Sequence, residues 1–264
     1  MKVCVSGKGG TGKTVIAGTL TRQLARRGLK VLAIDADANY NLHSSLGIPD
    51  EQVSDLLPLS DMKELIRERT GAEPYSIGAV FKANPKVSDL PQKLAIEGPD
   101  GVRFVLLGTI RSAGSGCTCP ANAFLKAFLR RVLADEHHVV VDMEAGIEHL
   151  GRGTARYADL LLIIVEPTVP GIMTAKRIGA LADQLGLRQA IVANKVRNGA
   201  EQRFVVDSLS GFEILQIVPH DECVIDAQMK GKALIDAHPE SKAVSAIEGL
   251  AEKLVGKVDS IGNG

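Results

Sequence analysis

The sequence lacks a dominant charge: 31 Lys and Arg are matched by 31 Asp and Glu. No global field therefore draws the chain to nucleic acid or to an acidic membrane surface, and neither partner is expected. It also lacks any apolar run near the roughly 20 residues that cross a bilayer, which excludes a membrane-spanning helix. A phosphate-binding motif starts so close to Met1 that no room is left for a signal peptide, and a cytoplasmic location is expected. Cysteines are few. Cys4, Cys117, Cys119 and Cys223 fit buried thiols or metal ligands of a reducing compartment better than a disulfide framework. Internal repeats, low-complexity tracts and clear linkers are absent. A chain of 264 residues that is 45% hydrophobic can bury one sizeable core, so a single domain over residues 1–264 is the expectation.

What is present is an alternation of short apolar runs with amphipathic stretches. The runs KVCVS, KVLAID, RFVLLG, HVVVDM, DLLLIIVE, QAIVANK and EILQIV suit strands covered on both faces. Helical spacing occupies Thr14 to Arg27, Ala121 to Leu133, Ile172 to Leu185 and Val244 to Val258. The fold class predicted is α/β: a doubly wound, mainly parallel sheet flanked by helices, with right-handed crossovers and a ligand crevice at the carboxyl ends of the strands. Leu46 to Gly101 is less regular, and KLAIEGPDGVRF reads as a hairpin turning on GPDG.

The first run leads into GKGGTGKT, residues 7–14, which fits the phosphate-loop pattern in its required strand-to-helix context. Gly7, Gly9, Gly10 and Gly12 let the backbone curl so that the loop's amides, Thr11 among them, point at phosphate oxygens near a helix N-terminus. Lys13 is then expected on the β- and γ-phosphates, and Thr14 on Mg²⁺. Lys8 is a second lysine that such loops do not ordinarily need. An ammonium on a long flexible stem suits a point contact with a phosphate supplied from outside its own loop.

This loop resembles the deviant Walker A motif of the MinD/ParA group of P-loop NTPases, relatives of the nitrogenase iron protein, and the likeness runs over nearly the whole chain. It implies ATP and ADP as ligands, ATP hydrolysis, and a nucleotide-dependent homodimer in which Lys8 reaches the partner's nucleotide. In AIDADANYN it implies that Asp37 positions or activates the attacking water, with Asn41 near the partner's active site. Asp142 in VVVDMEAG, with Asp35, is implied in the Mg²⁺ shell, directly or through water, and Gly146 offers an amide to the γ-phosphate. Asn194 in IVANK is implied at an adenine edge, with Lys195, Thr19 and the loop from Pro219 to Asp221 completing the nucleotide-binding set.

GSGCTCPANAFLKAFLRR sets Cys117 and Cys119 two apart at a predicted helix start. Pro120 suits the first helical position, so Cys119 falls at or near the N-cap, where the dipole favours thiolate. Two sulfurs chelate an ion but a closed tetrahedral site needs four ligands, and a two-fold axis would present the pair twice. Cys4 reads as a core thiol, and Cys223 follows a nucleotide-side loop. A C-x-C here, together with DMEAGIEHLGRG, resembles the CooC-type nickel-insertion ATPases. That likeness implies carbon monoxide dehydrogenase as client, with Ni²⁺ or Zn²⁺ held by Cys117 and Cys119 of both protomers. Residue identity does not choose between the two metals, and a redox disulfide or ordinary buried thiols remain alternatives. A DNA-partition reading would need a basic surface, for which Arg22, Arg26, Arg27 and Lys30, or Arg130 and Arg131, offer themselves. These read as solvated helix faces. A membrane-binding reading would need a basic C-terminal helix, whereas Val244, Ile247, Leu250, Leu254 and Val258 form a stripe expected to pack on the core.

Overall fold

The computed structural model describes residues 1–74, 76, 78–109, 118–134, 138–144 and 154–261, with side chains described as far as residue 256. Eight strands form one sheet in the order β3-β4-β2-β5-β1-β6-β7-β8. They are β1 (Lys2–Gly7), β2 (Val31–Ala36), β3 (Ile96–Glu97), β4 (Arg103–Leu106), β5 (His138–Met143), β6 (Leu160–Val165), β7 (Gln189–Val196) and β8 (Ile214–Pro219). All seven predicted runs are strands, and their pairings are parallel. The exception is the predicted hairpin. There β3 runs antiparallel to β4, and Gly98 N–H donates to the Val102 carbonyl across the turn at 2.7 Å.

The described α-helices are α1 (Lys13–Arg26), α2 (Leu42–Leu46), α3 (Asp50–Val53), α4 (Lys63–Thr70), α5 (Leu90–Leu94), α6 (Cys119–Ala134), α7 (Val169–Leu185), α8 (Gly199–Ser208), α9 (Glu222–Met229), α10 (Leu234–Ala237) and α11 (Lys242–Ile261). They leave two buried cores, one on each face of the sheet. Val3 and Val5 join the core under α1 and α11, while Cys4 between them joins the one under α6 and α7. Because side chains alternate across a strand, burial of both faces demands the unbroken apolar runs seen in the sequence. The C-terminal stripe packs as expected. Val244, Ile247, Leu250 and Leu254 are buried, and the Val258 side chain lies outside the described part. No described helix is long and apolar enough to cross a membrane.

Chain order places the site. After β1 the chain steps over one position to β2, continues out to β4 and returns to lay β5 between β2 and β1, then crosses to β6, β7 and β8 on the other side. The order therefore reverses at β1, and a ligand crevice belongs at its carboxyl end.

One expectation is corrected. Arg22 is not on a solvated face but 2% exposed. Its guanidinium donates to Asp100 Oδ2 at 2.5 Å, to both Asp236 oxygens at 2.8 and 2.9 Å, and to the Leu46 carbonyl at 2.7 Å. Arg26 joins Asp100 at 2.9 Å, and Arg27 reaches Glu248 and Glu252 on α11. Arg22 is neutralised inside the fold, and Arg26 and Arg27 are paired with carboxylates at its surface. Removing Arg22 strands the Leu46 carbonyl and leaves Asp100 and Asp236, which keep about a third of their exposure, with Arg26 alone, so Arg22→Met should cost about 2 kcal/mol. Partial burial would raise the pKa of Asp100, but Arg22 and Arg26 outweigh it and hold the carboxyl below its ordinary value. That contribution is complete at neutral pH and lost as pH falls through the acid range. Thermal melting from pH 7 down to 3 should therefore show wild type losing its advantage over Arg22→Met. A constant gap would contradict this account.

Candidate functional site

Gly7 ends β1 with φ 153°, where an added Cβ would lie 2.4 Å from the Ile164 carbonyl oxygen, so no side chain fits. The chain then turns through Gly10 (φ 82°) and Gly12 (φ 89°) into α1. That helix has no side-chain cap and no acidic residue in its first turn. Its first amides therefore face the crevice without a local acceptor, the arrangement that binds an anion. Thr11 closes the loop by donating to the Lys8 carbonyl from N–H at 3.3 Å and from Oγ1 at 2.8 Å. The buried Lys13 ammonium reaches the same carbonyl at 3.4 Å. Lys8 itself is exposed, and its ammonium makes no described contact.

Two cavities flank the loop and share Gly10, Gly12, Val15, Val224 and Gln228. One, of about 450 Å³, brings together Gly9, Lys13, Thr14, Thr19, Asp37 and Asn41. The other, of about 480 Å³, brings together Asn194, Lys195, Pro219 and Asp221. Residues quoted from stretches as far apart in the chain as Gly9 and Asp221 therefore border one crevice.

The acidic end of the site is held by the sheet. Asp142 on β5 is in register with both Val5 on β1 and Asp35 on β2. Both carboxylates are fully buried. Asp35 accepts from Asp37 N–H at 3.1 Å and Leu42 N–H at 2.9 Å, and burial outweighs these donors to push its pKa up to about 6. Asp142 is less well served. Neither of its oxygens has a partner of hydrogen-bond geometry among the described residues. Burial, reinforced by the charge of Asp35, pushes it up to about 7, and the Thr14 hydroxyl and Lys13 ammonium lie near enough only to moderate that rise. A buried carboxylate without donors, beside a second one and a threonine hydroxyl, is an all-oxygen set that fits a hard cation such as Mg²⁺. Thr19 adds a buried hydroxyl without a described partner on the same cavity.

Several residues are already engaged. Asp37 Oδ1 accepts from Asn39 N–H at 2.9 Å and Asn39 Nδ2 at 3.0 Å, so its carboxylate is turned into its own loop. Asn194 donates from Nδ2 to the Thr11 carbonyl at 2.7 Å, leaving Oδ1 for the cavity. Lys195 donates to the Gly10 carbonyl at 2.6 Å and Glu166 Oε1 at 2.5 Å. Asp221 caps α9 through Cys223 N–H at 3.0 Å and accepts from Ala243 N–H at 3.0 Å. Its primary task is to seat two helix starts. Glu166, Val224, Ile225 and Gln228 also border the crevice and were not singled out from sequence. Glu166 ends an apolar run, as Asp35 and Asp142 do, which was the available signal. The α9 residues carry none.

The cysteines divide. Cys4 is buried, and the surrounding core pushes its thiol up to about 12. Cys223 lies in the first turn of α9, where hydrogen bonding to Asp221 raises its pKa. Cys119 opens α6, followed by Pro120, on an exposed position, with its sulfur in a disulfide. Cys117 and Gly146 lie outside the described residues. Among the described residues no group of three or more His, Cys, Asp or Glu is placed to hold a metal ion.

Residues 2–235 match the family model of the CobQ/CobB/MinD/ParA nucleotide binding domain. The carbon monoxide dehydrogenase accessory protein CooC of Rhodospirillum rubrum is 41% identical over 96% of this chain and 97% of its own. An uncharacterized ATP-binding protein of Methanocaldococcus jannaschii is 40% identical over 97% and 98%. Among solved structures, a ParA family ATPase from Chlorobium tepidum matches with TM-score 0.70 at 17% identity, covering 95% of this chain and 97% of its own. The MinC:MinD cell division complex of Aquifex aeolicus gives 0.68 at 24%, covering 97% and 96%. At these identities the two structures speak for the fold.

Asp142 generates a prediction without any ligand. Its folded pKa of about 7 lies above the ordinary carboxylate value. Its charge therefore costs stability increasingly as pH rises from about 4 to about 7, and the full penalty stands above that. In metal-free protein, Asp142→Asn should raise stability on the order of 2 kcal/mol at pH 8 and change little near pH 4. Denaturant unfolding at the two pH values measures it. A variant less stable than wild type at pH 8 would overturn the reading of an unpartnered buried carboxylate.

Proposed function

We propose that this chain, which belongs to the CobQ/CobB/MinD/ParA nucleotide-binding family and is a P-loop ATPase, couples ATP hydrolysis to nickel insertion into carbon monoxide dehydrogenase. The observation that carries the reading is the 41% identity, nearly end to end, to an accessory protein of that enzyme. The exposed Cys119 at the start of α6 supports it.

In the proposed cycle the amides of Gly9 to Thr14 cradle the phosphates, and Lys13 swings from the Lys8 carbonyl onto the β- and γ-oxygens. Thr14, Asp35 and Asp142 would hold Mg²⁺, directly or through water. When bound, the ion neutralises charge on the transferring phosphoryl group. Gly146 would give an amide to the γ-phosphate. Asn194 Oδ1 would accept from the adenine amine, with Pro219 closing that side. Asp37 would release Asn39 to orient the attacking water, and Asn41, exposed beside it, would meet a partner protomer. Lys8 would cross the same interface to the partner's nucleotide. Cys117 and Cys119 from two reduced chains would carry the nickel, or zinc in its place, as cargo.

A second reading is favoured by one observation, the disulfide at Cys119. In it the cysteines are a redox feature of a partition-type or positioning ATPase. Metal stoichiometry under reducing conditions separates the two. The cargo reading expects one Ni²⁺ or Zn²⁺ per two chains, tighter with ATP because the dimer completes four thiolates. The ion should be lost in Cys117→Ser and Cys119→Ser variants that still bind ATP. Tight binding by a monomer, or binding indifferent to the serines, would sink it.

The two lysines should also part company. Lys13→Ala should weaken ATP binding at least about tenfold, through loss of a charged phosphate contact. Lys8→Ala should retain nucleotide affinity while losing dimerisation or turnover. Titration with ATP, steady-state hydrolysis and ultracentrifugation read all three quantities. A Lys8→Ala monomer that hydrolyses at the wild-type rate would remove the cross-interface role.

A further inference from the structure

Consecutive residues of a strand point to opposite faces of the sheet, yet Asn194 and Lys195 on β7 reach the same loop. Asn194 holds the Thr11 carbonyl at 2.7 Å and Lys195 the Gly10 carbonyl at 2.6 Å. Two departures from regular strand geometry make this happen. Lys195 takes φ 61°, a left-handed conformation that lysine disfavours. The β7–β8 ladder also slips between Ala193 and Val196, a bulge of the kind that re-aims side chains. Unfavourable backbone kept at one position argues that the side chain it aims has a task.

An ammonium on a four-carbon stem is not localised by one carbonyl. Glu166 supplies the second contact, 2.5 Å from Lys195 Nζ, and its own backbone is fixed. It follows the last residue of β6, Thr168 then caps α7 by accepting from Gly171 N–H at 3.2 Å, and Gly171 packs so close that a Cβ there would lie 2.6 Å from the Glu166 carbonyl oxygen. The order of support is sheet, Glu166, Lys195, Gly10.

We propose that Glu166 is a positioning residue for nucleotide binding: through Lys195 it holds the Gly10 carbonyl and so sets the phosphate loop. The consequence follows from peptide planarity. In a trans peptide the C=O of one residue and the N–H of the next point opposite ways. Drawing the carbonyls of Gly10 and Thr11 toward β7 turns the N–H groups of Thr11 and Gly12 away from it. The Thr11 N–H then meets the Lys8 carbonyl and closes the loop, while the Gly12 N–H is oriented before any phosphate arrives, which lowers the reorganisation needed on binding. The inference rests on the ATPase reading of the loop and deepens it by naming what holds the loop in shape.

The test compares ADP affinity and thermal melting in wild type, Glu166→Ala, Glu166→Gln, Lys195→Gly and the double variant Glu166→Ala/Lys195→Gly. Glu166→Ala and Lys195→Gly should each weaken ADP binding about tenfold, the scale of one charge-assisted hydrogen bond. The double variant should be no weaker than Lys195→Gly, because Glu166 acts through the lysine. Glu166→Gln keeps an acceptor and should recover part of the loss. Lys195→Gly should hold or raise the melting temperature, since glycine accepts φ 61° without strain. Additive losses would overturn the proposal, and so would unchanged ADP affinity with lowered melting temperature, which marks a merely structural pair. Lys13→Ala serves as the control. If it binds ADP as wild type does, the loop reading itself fails rather than the part given to Glu166.

Discussion

The strand β1, buried on both faces, ends where no side chain fits. At Gly7 the Ile164 carbonyl stands 2.4 Å from any Cβ, so the chain leaves β1 as bare backbone and curls before it can begin a helix. Everything in the crevice is arranged around that turn. The helix that follows has no cap of its own, and its amides stay available because neither Gly12 nor the first turn supplies an acceptor. The carbonyls of the loop, by contrast, are occupied. Lys8, Gly10 and Thr11 each accept from a described side chain. Apart from the Thr11 N–H, which turns back onto the Lys8 carbonyl, the described loop amides are left open and these acceptors closed, which is the polarity an anionic ligand requires.

The opposite holds at the neighbouring strand ends. Asp35 and Asp142 sit side by side in register on β2 and β5, fully buried. Burial raises the pKa of both carboxylates, and the charge of Asp35 adds to the rise at Asp142. The site thus holds a surplus of donors on one wall and a surplus of acceptors on the other, about the β1 carboxyl end. A phosphate chain with a divalent cation satisfies both together, and either alone leaves one wall unpaired.

Sequence patterning revealed the sheet because its strands are buried twice over: VCVS and LLLIIV are legible as runs for the same reason that they are stable. The hairpin was legible too, through GPDG. Leu46 to Gly101 was not, since α2, α3, α4 and α5 are short and owe their places to tertiary contacts rather than to a long amphipathic period. Arg22 looked like surface because the groups that neutralise it, Asp100 and Asp236, lie 78 and 214 positions away. The loop glycines and the two lysines were readable as a motif. Glu166 was not, being one acid at the end of an apolar run, and its meaning arises only when β6 and β7 pair and bring Lys195 beside it.

The helix that opens at Cys119 lies on the face of the sheet away from α1, yet it shares a core with β2 and β5. Phe124 and Phe128 of α6 pack in the same cluster as Ile34 of β2 and Val141 of β5. Each of those strand residues immediately precedes one of the two buried carboxylates. A displacement of either strand end is therefore passed into a core that α6 shares, because a close-packed interior transmits displacement rather than absorbing it.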